Sequence, residues 1–378
     1  MSSLLYVSNE GSLLNRILDK NTLLVEALET IVSNYPPHSK YDIELKGLWS
    51  GPTGIAYLFF RVSVMRPDLQ VAGNSALFWA EAYLVADGRT ETTIQQANER
   101  CGVSAQLLCH QAILIAVTKD KHHTDDFVQM LSRIPDAAYK EEWLWGMAGT
   151  LYFVRLVRRW MPSCASALEA PTNLIQEAIL ANGTEWVCNG TRWLGAAHGD
   201  IGIVTQLVLT TPSVAPRLSP KLEQLLDLQM PNGNWPVTAI PPKSPPKPYV
   251  QFCHGAPGFV LSLRSLRPYF PELRDKIDTA IRLGSELIWK EGILKKEPSL
   301  CHGTFGNALC LQPDQREHLL THATPEYIAK ARAADSTMFE KSDYGFHFAL
   351  FTGYWPGAAW AWLVCESEEA SLIGYNDV

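Results

Sequence analysis

The sequence lacks the features of a membrane protein, a secreted protein and a nucleic-acid-binding protein. No apolar run reaches the ~20 residues that a bilayer span needs, and residues 1–6 show no basic segment before a long apolar core, so we expect no signal peptide. The 32 Lys and Arg residues are outnumbered by 39 Asp and Glu residues, which leaves no basic stripe to neutralise phosphates. The eight cysteines lack the spacing of a disulfide framework and suit a reducing compartment. We therefore expect a cytoplasmic protein with no nucleic-acid partner and no membrane span.

A short glycine motif recurs along the chain at a nearly constant interval. Two weaker copies, Gly102-Val-Ser-Ala105 and Gly353-Tyr-Trp-Pro-Gly357, complete a series in which the first glycines are 51, 44, 53, 56, 48 and 50 residues apart. A period of about 50 residues indicates a repeat architecture. The complete Gly-x-x-Gly copies are Gly51–Gly54, Gly146–Gly149, Gly199–Gly202, Gly255–Gly258 and Gly303–Gly306.

Each repeat combines two kinds of predicted helix. The runs that follow the motifs, such as Ile55–Phe60 and Phe259–Leu261, are apolar on nearly all sides, as in a helix buried between two layers. The stretches between motifs, such as Leu13–Val32 and Leu273–Trp289, are amphipathic and are typical of half-exposed helices. Each repeat is thus predicted to be an outer helix, a glycine-containing loop and an inner helix.

Seven helical hairpins can stack into an open array or close into a ring. The last repeat ends in the apolar run Ala358–Val364 and shows no polar cap of the kind that ends an open array. We therefore predict an all-α fold, an (α/α)7 toroid, formed by residues 1–378 as a single domain. The proline-rich stretch 241–248 falls inside one repeat, so we interpret it as a long loop rather than a domain boundary.

Metal-ligating side chains precede the first glycine in three consecutive repeats. His198, His254 and His302 stand directly before it, and Cys253 and Cys301 stand one residue earlier in the fifth and sixth repeats. Equivalent positions of a ring share one rim, so both cysteines and one histidine can meet. Two thiolates and one imidazole suit zinc (Zn2+) and leave a fourth position open, as in catalytic sites. Repeat symmetry does not choose between His254 and His302.

The two cysteine motifs resemble those of a known family. Phe252–Gly258 and Leu300–Ala308 look like the zinc-binding motifs of the lanthionine synthetase C-like proteins, and Gly195–Gly199 is similar to that family's third signature. The resemblance covers essentially the whole chain and is closer to eukaryotic members than to bacterial lantibiotic cyclases. It implies an α/α toroid that binds zinc. The zinc ligands that it implies are Cys253, Cys301 and His302.

The resemblance also implies roles for residues around the metal. It makes His198 the general acid/base and places Glu142 where bacterial members carry a catalytic acidic residue. Lys296 matches a basic residue that eukaryotic members present to substrate. From the residues alone, Glu142 can also be a surface carboxylate beside Lys140 and Glu141, and Lys296 a solvated charge. Further candidates for substrate binding are Arg192, Tyr249 and His254.

The family's chemistry is the addition of a thiol to a dehydroamino acid, and its eukaryotic members bind glutathione. We therefore predict a zinc-dependent enzyme that activates glutathione or a peptide cysteine for addition to a dehydroamino acid or a similar electrophilic alkene. The alternative is a non-catalytic adaptor or sensor that binds zinc and glutathione. Met147 and Tyr249 replace basic residues of eukaryotic and bacterial members, respectively, so the electrophile can differ from theirs.

Overall fold

The computed structural model describes residues 5–9, 13–14, 18–38, 45–86, 101–135, 139–181, 183–240, 249–340 and 348–378. These residues form fifteen α helices and four two-residue strands, which confirms the all-α prediction. Among them, no helix combines the length and the apolar character that crossing a membrane requires. The proline-rich stretch 241–248, predicted to be a loop, lies outside the described residues.

The helices form an outer and an inner layer and alternate between them along most of the chain. In chain order they are α1 (Lys20–Asn34), α2 (Pro52–Met65), α3 (Ala76–Ala86), α4 (Gln106–Thr118), α5 (His122–Arg133), α6 (Met147–Trp160), α7 (Glu169–Leu180), α8 (Asp200–Thr210), α9 (Ala215–Asp227), α10 (Ala256–Leu266), α11 (Arg274–Glu291), α12 (Thr304–Ala308), α13 (Pro313–Thr321), α14 (Pro325–Ala334) and α15 (Tyr354–Leu363). The inner layer consists of α2, α4, α6, α8, α10, α12 and α15. Six of these seven begin directly after the first glycine of a motif, and α4 begins after Ala105.

The second glycine of the motif allows each loop to fold back over its inner helix. A Cβ added at Gly149, Gly202, Gly258 or Gly306 would lie 1.8–2.2 Å from the carbonyl oxygen of the residue six positions earlier. No side chain fits at that distance, so the close approach requires glycine. The loops that contain the cysteines and histidines are thereby held against the N-terminal ends of the inner helices.

Backbone hydrogen bonds connect the motif loops of neighbouring repeats. The amide of Leu48 donates to Val103 O at 2.9 Å, that of Cys253 to Cys301 O at 3.2 Å, and that of Cys301 to Phe351 O at 2.9 Å. Helix α15 of the last repeat packs against both α1 and α2 of the first. The ring is therefore closed, as the apolar final repeat predicts.

The outer helices start later than the amphipathic pattern alone indicates. The first predicted outer helix begins at Leu13, whereas α1 begins at Lys20 because the Asp19 carboxylate accepts a hydrogen bond from the Thr22 amide at 3.1 Å and caps the helix. The predicted helix Leu273–Trp289 corresponds closely to α11. Two short strands, β1 (Tyr6–Val7) and β4 (Ile293–Leu294), pair antiparallel, and a second antiparallel pair is formed by β2 (Gln70–Val71) and β3 (Asn74–Ser75).

Four aromatic side chains pack together inside the ring, next to the motif loops. Trp143, Phe252, Phe351 and Tyr375 form edge-to-face contacts with ring centroids 5.0–5.6 Å apart. The Trp143 indole also donates a hydrogen bond to Gly374 O at 3.2 Å. This aromatic cluster holds three motif loops together. It thereby positions the parts of these loops that follow Trp143 and Phe252 in the chain.

Candidate active site

Three buried side chains from two adjacent repeats form a cluster that fits a metal ion. The ligand atoms of Cys253, Cys301 and His302 all lie within 4.8 Å of one another. Tetrahedral zinc, with bonds of about 2.3 Å to sulfur and about 2.0–2.1 Å to nitrogen, needs ligand atoms roughly 3.5–3.8 Å apart, so small movements of these side chains would bring the three atoms to the separations that zinc requires. The donor set is the soft one that zinc takes in catalytic sites. Among the described residues, the geometry selects His302 where the sequence left His254 equally eligible.

Hydrogen bonding and burial shift the pKa values of all three side chains of the cluster. The Cys301 thiol hydrogen-bonds Cys253 and lowers the pKa of Cys253, and the same contact together with burial raises the pKa of Cys301. Burial, aided by the charge of Lys296, lowers the pKa of His302 to about 3, so its imidazole is neutral at physiological pH. A neutral imidazole and a thiolate are the forms that ligate metals. A cation entering the cluster meets a neutral imidazole and has to displace protons only from the cysteines.

His198 and Glu142 form a hydrogen-bonded pair beside this cluster. The His198 Nδ1 lies 3.1 Å from Glu142 Oε2, and the carboxylate also accepts hydrogen bonds from the amides of Leu144 (2.7 Å) and Trp145. Glu142 is 1% exposed, so it is not a surface carboxylate. Because a carboxylate only accepts, Nδ1 carries the proton and Nε2 is the ring nitrogen that can exchange one with a substrate. The charge of His198 also lowers the pKa of Cys253, which places the pair within electrostatic reach of the cluster.

Lys296 joins the cluster through an intervening amide. Its Nζ donates a hydrogen bond to Gln251 Oε1, and Gln251 Nε2 donates to Cys253 Sγ at 3.1 Å. Burial lowers the pKa of Lys296, and the two cysteines act in the opposite direction. Lys296 is therefore a partly buried side chain of the site rather than a solvated charge.

Aromatic rings surround His254, one of the predicted substrate-binding residues. Its ring centroid lies 5.2 Å from Trp193 and 6.2 Å from each of Tyr249 and His198. Burial, with the charges of His198 and Lys296, lowers the pKa of His254 to about 4. Its Nδ1 is buried and has no hydrogen-bond partner in the part of the chain that the structure describes. This ring nitrogen is thus a buried hydrogen-bonding group that the described residues leave unsatisfied.

Arg192 is held by partners outside this group of residues. Its guanidinium binds Asp200 (Nε to Oδ2, 3.2 Å), Glu185 (2.6 Å) and Gln224 (3.2 Å). Asp200 is fully buried and also pairs with Lys221. The structure therefore gives Arg192 a position in an ion-pair network, and no contact among the described residues connects it to the cysteines.

Sequence analysis missed Gln251 and two tryptophans of the site. Gln251 lies two residues before Cys253 in an irregular loop of bends, where no periodicity fixes the direction of a side chain, so the sequence held no signal that could have found it. Trp145 occupies the same motif position as the three histidines. Its ring lies 5.0 Å from His198 and is 48% exposed, so it forms part of the rim. The ring centroid of Trp193 lies 6.5 Å from that of His198.

Comparison with known proteins gives a consistent assignment. A protein-family model described as lanthionine synthetase C-like protein matches residues 42–347. The chain is 29% identical over 201 residues to glutathione S-transferase LANCL1 of Danio rerio, over 48% of this chain and 47% of that protein. It is 31% identical over 180 residues to LanC-like protein GCL1 of Arabidopsis thaliana, over 44% of this chain and 40% of that protein. The alignments thus span about half, or less, of these relatives. Because the family model matches well over half of its residues, the chain belongs to the lanthionine synthetase C-like family.

Proposed function

We propose that this protein is a zinc-dependent enzyme that adds a thiol to an electrophilic alkene. The observation that carries the proposal is the meeting of Cys253, Cys301 and His302 beside the His198–Glu142 pair. The thiol that we propose is glutathione or a peptide cysteine, and the acceptor is a dehydroamino acid or a similar alkene. The name of the Danio rerio relative supports glutathione as the thiol.

The three candidate ligands determine what a metal would contribute here. When bound, zinc would hold the sulfur of an incoming substrate as a thiolate at neutral pH. Cys253 and Cys301 as thiolates offset the charge of the metal, so the sulfur of a third thiolate keeps its electron density. Such a site favours a sulfur nucleophile over an activated water.

The His198–Glu142 pair supplies the proton transfer that the addition needs. A lone pair of the thiolate attacks the β-carbon, the C–S bond forms, and the electrons of the C=C bond move onto the enolate. His198 Nε2 takes the thiol proton before this step and gives it to the α-carbon after it, so protons and charge balance. Glu142 holds Nδ1–H, fixes the orientation of the ring and stabilises the imidazolium that exists between the two transfers.

Other residues of the site suit a peptide-like thiol. Lys296 uses one N–H on Gln251 and retains donors for a carboxylate such as those of glutathione. The rings of Trp145 and Trp193 lie next to His198 and offer apolar contacts to a bound substrate. No disulfide joins any of the eight cysteines, all of which lie in the described residues, and we propose a reducing compartment such as the cytoplasm.

Mass spectrometry of a reaction with glutathione and a dehydroalanine or dehydrobutyrine peptide tests the proposal. The wild-type protein is expected to form the thioether adduct, and His198→Ala to form it much more slowly while its zinc content stays unchanged. His122→Ala, an exposed histidine on α5, is the matched control and should behave as wild type. Glutathione binding without adduct formation in any variant would contradict the enzyme and favour an adaptor or sensor.

A further inference from the structure

A single buried amide connects a cation to a candidate zinc ligand. Gln251 is 6% exposed; its Oε1 accepts from Lys296 Nζ and its Nε2 donates to Cys253 Sγ at 3.1 Å. Lys296 and Gln251 lie 45 residues apart in the chain, so two separate loops build this contact. Both hydrogen-bonding ends of the amide are used within the site. The carbonyl oxygen faces the lysine cation, and the NH2 group faces the cysteine sulfur.

The backbone on both sides holds this chain of hydrogen bonds in place. The amide of Gln251 donates to His254 O at 3.3 Å, inside the loop that also carries Cys253. Lys296 forms a parallel bridge with Glu340, and the following amide, of Glu297, donates to Glu340 O at 3.0 Å. The backbone from which each of the two side chains extends is therefore held in position by hydrogen bonds.

The arrangement has a defined electrostatic effect on the sulfur. A cation on the carbonyl oxygen of an amide polarises the group and strengthens its N–H as a donor. An N–H···S hydrogen bond withdraws electron density from a thiolate and stabilises it against protonation. A lysine in direct contact with the sulfur would compete with a metal ion for it, whereas the neutral amide passes on only part of the charge.

We infer that Gln251 is a positioning residue that relays the charge of Lys296 to the Cys253 sulfur and thereby sets how strongly this sulfur binds zinc. The inference rests on the proposed function, because it assigns Cys253 to the metal. It gives Lys296 a second task besides contacting substrate. Metal-site partners of this kind typically change metal affinity by about 10- to 100-fold when they are removed.

Cobalt substitution with zinc competition tests the relay without relying on turnover. Gln251→Leu removes both hydrogen bonds, and Gln251→Glu retains an acceptor for Lys296 but has no N–H for the sulfur. Both variants should shift the sulfur-to-cobalt charge-transfer band to lower energy, because the sulfur lone pair loses its stabilisation. Both should also lower the affinity for zinc, measured against a chromophoric chelator, by about 10- to 100-fold.

A double-mutant cycle separates a relay from two independent contacts. Lys296→Met should shift the band in the same direction by a smaller amount in the wild-type background and should have no further effect when Gln251 is leucine. Lys295→Met and Gln229→Leu are the matched controls. Lys295 is the neighbouring lysine, and Gln229 is a half-buried glutamine bonded to Gly233 O and Ala280 O at 3.0 Å. Neither control should move the band.

The outcomes of these experiments distinguish the two levels of the proposal. A wild-type protein that binds no cobalt with a sulfur charge-transfer band overturns the proposed function and the relay together. A wild-type band that stays unchanged in both Gln251 variants overturns the relay alone. Additive effects of Lys296→Met and Gln251→Leu would likewise show that the lysine does not act through the amide.

Discussion

Replacing Glu142 by glutamine tests whether the carboxylate works through His198. The side chain keeps its shape, so the backbone contacts that bury it can largely persist. Oε2 accepts from both Leu144 N and His198 Nδ1, and Oε1 accepts from Trp145 N. With the glutamine oxygen at the Oε2 position, the His198 contact survives as a neutral hydrogen bond, and the new NH2 group meets the Trp145 amide. Glu142→Gln therefore removes one charge from the His198 contact and one acceptor from the backbone.

The size of the effect follows from these two losses. A hydrogen bond to a charged group contributes about 1.5–3 kcal/mol, and each ~1.4 kcal/mol of lost transition-state stabilisation slows a reaction tenfold. We expect kcat for thioether formation to fall roughly 10- to 100-fold, because the imidazolium loses its stabilising charge, with little change in KM. The buried donor facing the Trp145 amide should lower the free energy of unfolding by about 1–3 kcal/mol.

Steady-state kinetics with glutathione and a dehydroalanine peptide, combined with zinc analysis, measures these effects. The matched control is Glu141→Gln, which changes the neighbouring, half-buried carboxylate. The hydrogen bond that Glu141 forms with the Ala148 amide, at 3.0 Å, uses its backbone carbonyl, so the substitution leaves it in place. A Glu142→Gln variant with wild-type kcat, alongside an impaired His198→Ala variant, would refute the pairing of the two residues. Loss of zinc from Glu142→Gln would instead show that the carboxylate supports the metal cluster.

Two further predictions concern the scaffold around the site. Gly195→Ala should displace the Cys253 loop and reduce bound zinc well below one ion per chain, because the added Cβ would lie 2.1 Å from Cys253 O. The control is Gly190→Ala, where an added Cβ meets nothing within 4 Å. This variant should keep its zinc and lose only about 1 kcal/mol of folding stability to left-handed backbone strain. His318 Nδ1 accepts a hydrogen bond from the Leu14 amide at 3.0 Å, and burial lowers the pKa of His318. The contact therefore stabilises the fold fully above the ordinary histidine pKa of about 6.5. This stabilisation is lost as the pH falls through the lowered pKa that His318 has in the folded protein. Hydrogen exchange at Leu14, corrected for its intrinsic pH dependence, should accelerate on acidification, and acceleration on raising the pH would contradict this.

The repeat and the closed ring could be predicted from the sequence because they depend on local rules. The second glycine of each complete motif copy is required by a contact within its own loop, such as that of Gly202 with the Ala196 carbonyl. Most inner helices are apolar on nearly all sides because nearly all of their side chains are buried, so their composition alone identifies them. The start of α1 was misplaced because the amphipathic pattern extends beyond the cap at Asp19.

The details of the site depend on contacts between repeats and so could not be predicted from the sequence. His254 and His302 occupy equivalent positions, and only the offset between neighbouring loops brings His302 rather than His254 to both sulfurs. The burial of Glu142 results from the closure of its repeat against the next, which no local pattern encodes. Gln251 and Lys296 meet across 45 residues. The sequence also did not show that Arg192 binds Asp200, so nothing in it argued against placing Arg192 in the substrate cleft.

X-ray absorption spectroscopy at the zinc edge is the most direct test of the central claim that Cys253, Cys301 and His302 together hold the metal. The account predicts one zinc ion per chain, with two sulfur atoms at about 2.3 Å and nitrogen or oxygen atoms at about 2.0–2.1 Å. Cys301→Ser should reduce the sulfur shell to a single atom. A shell with no sulfur, a shell of four sulfurs, or a wild-type spectrum unchanged in Cys301→Ser would contradict the account.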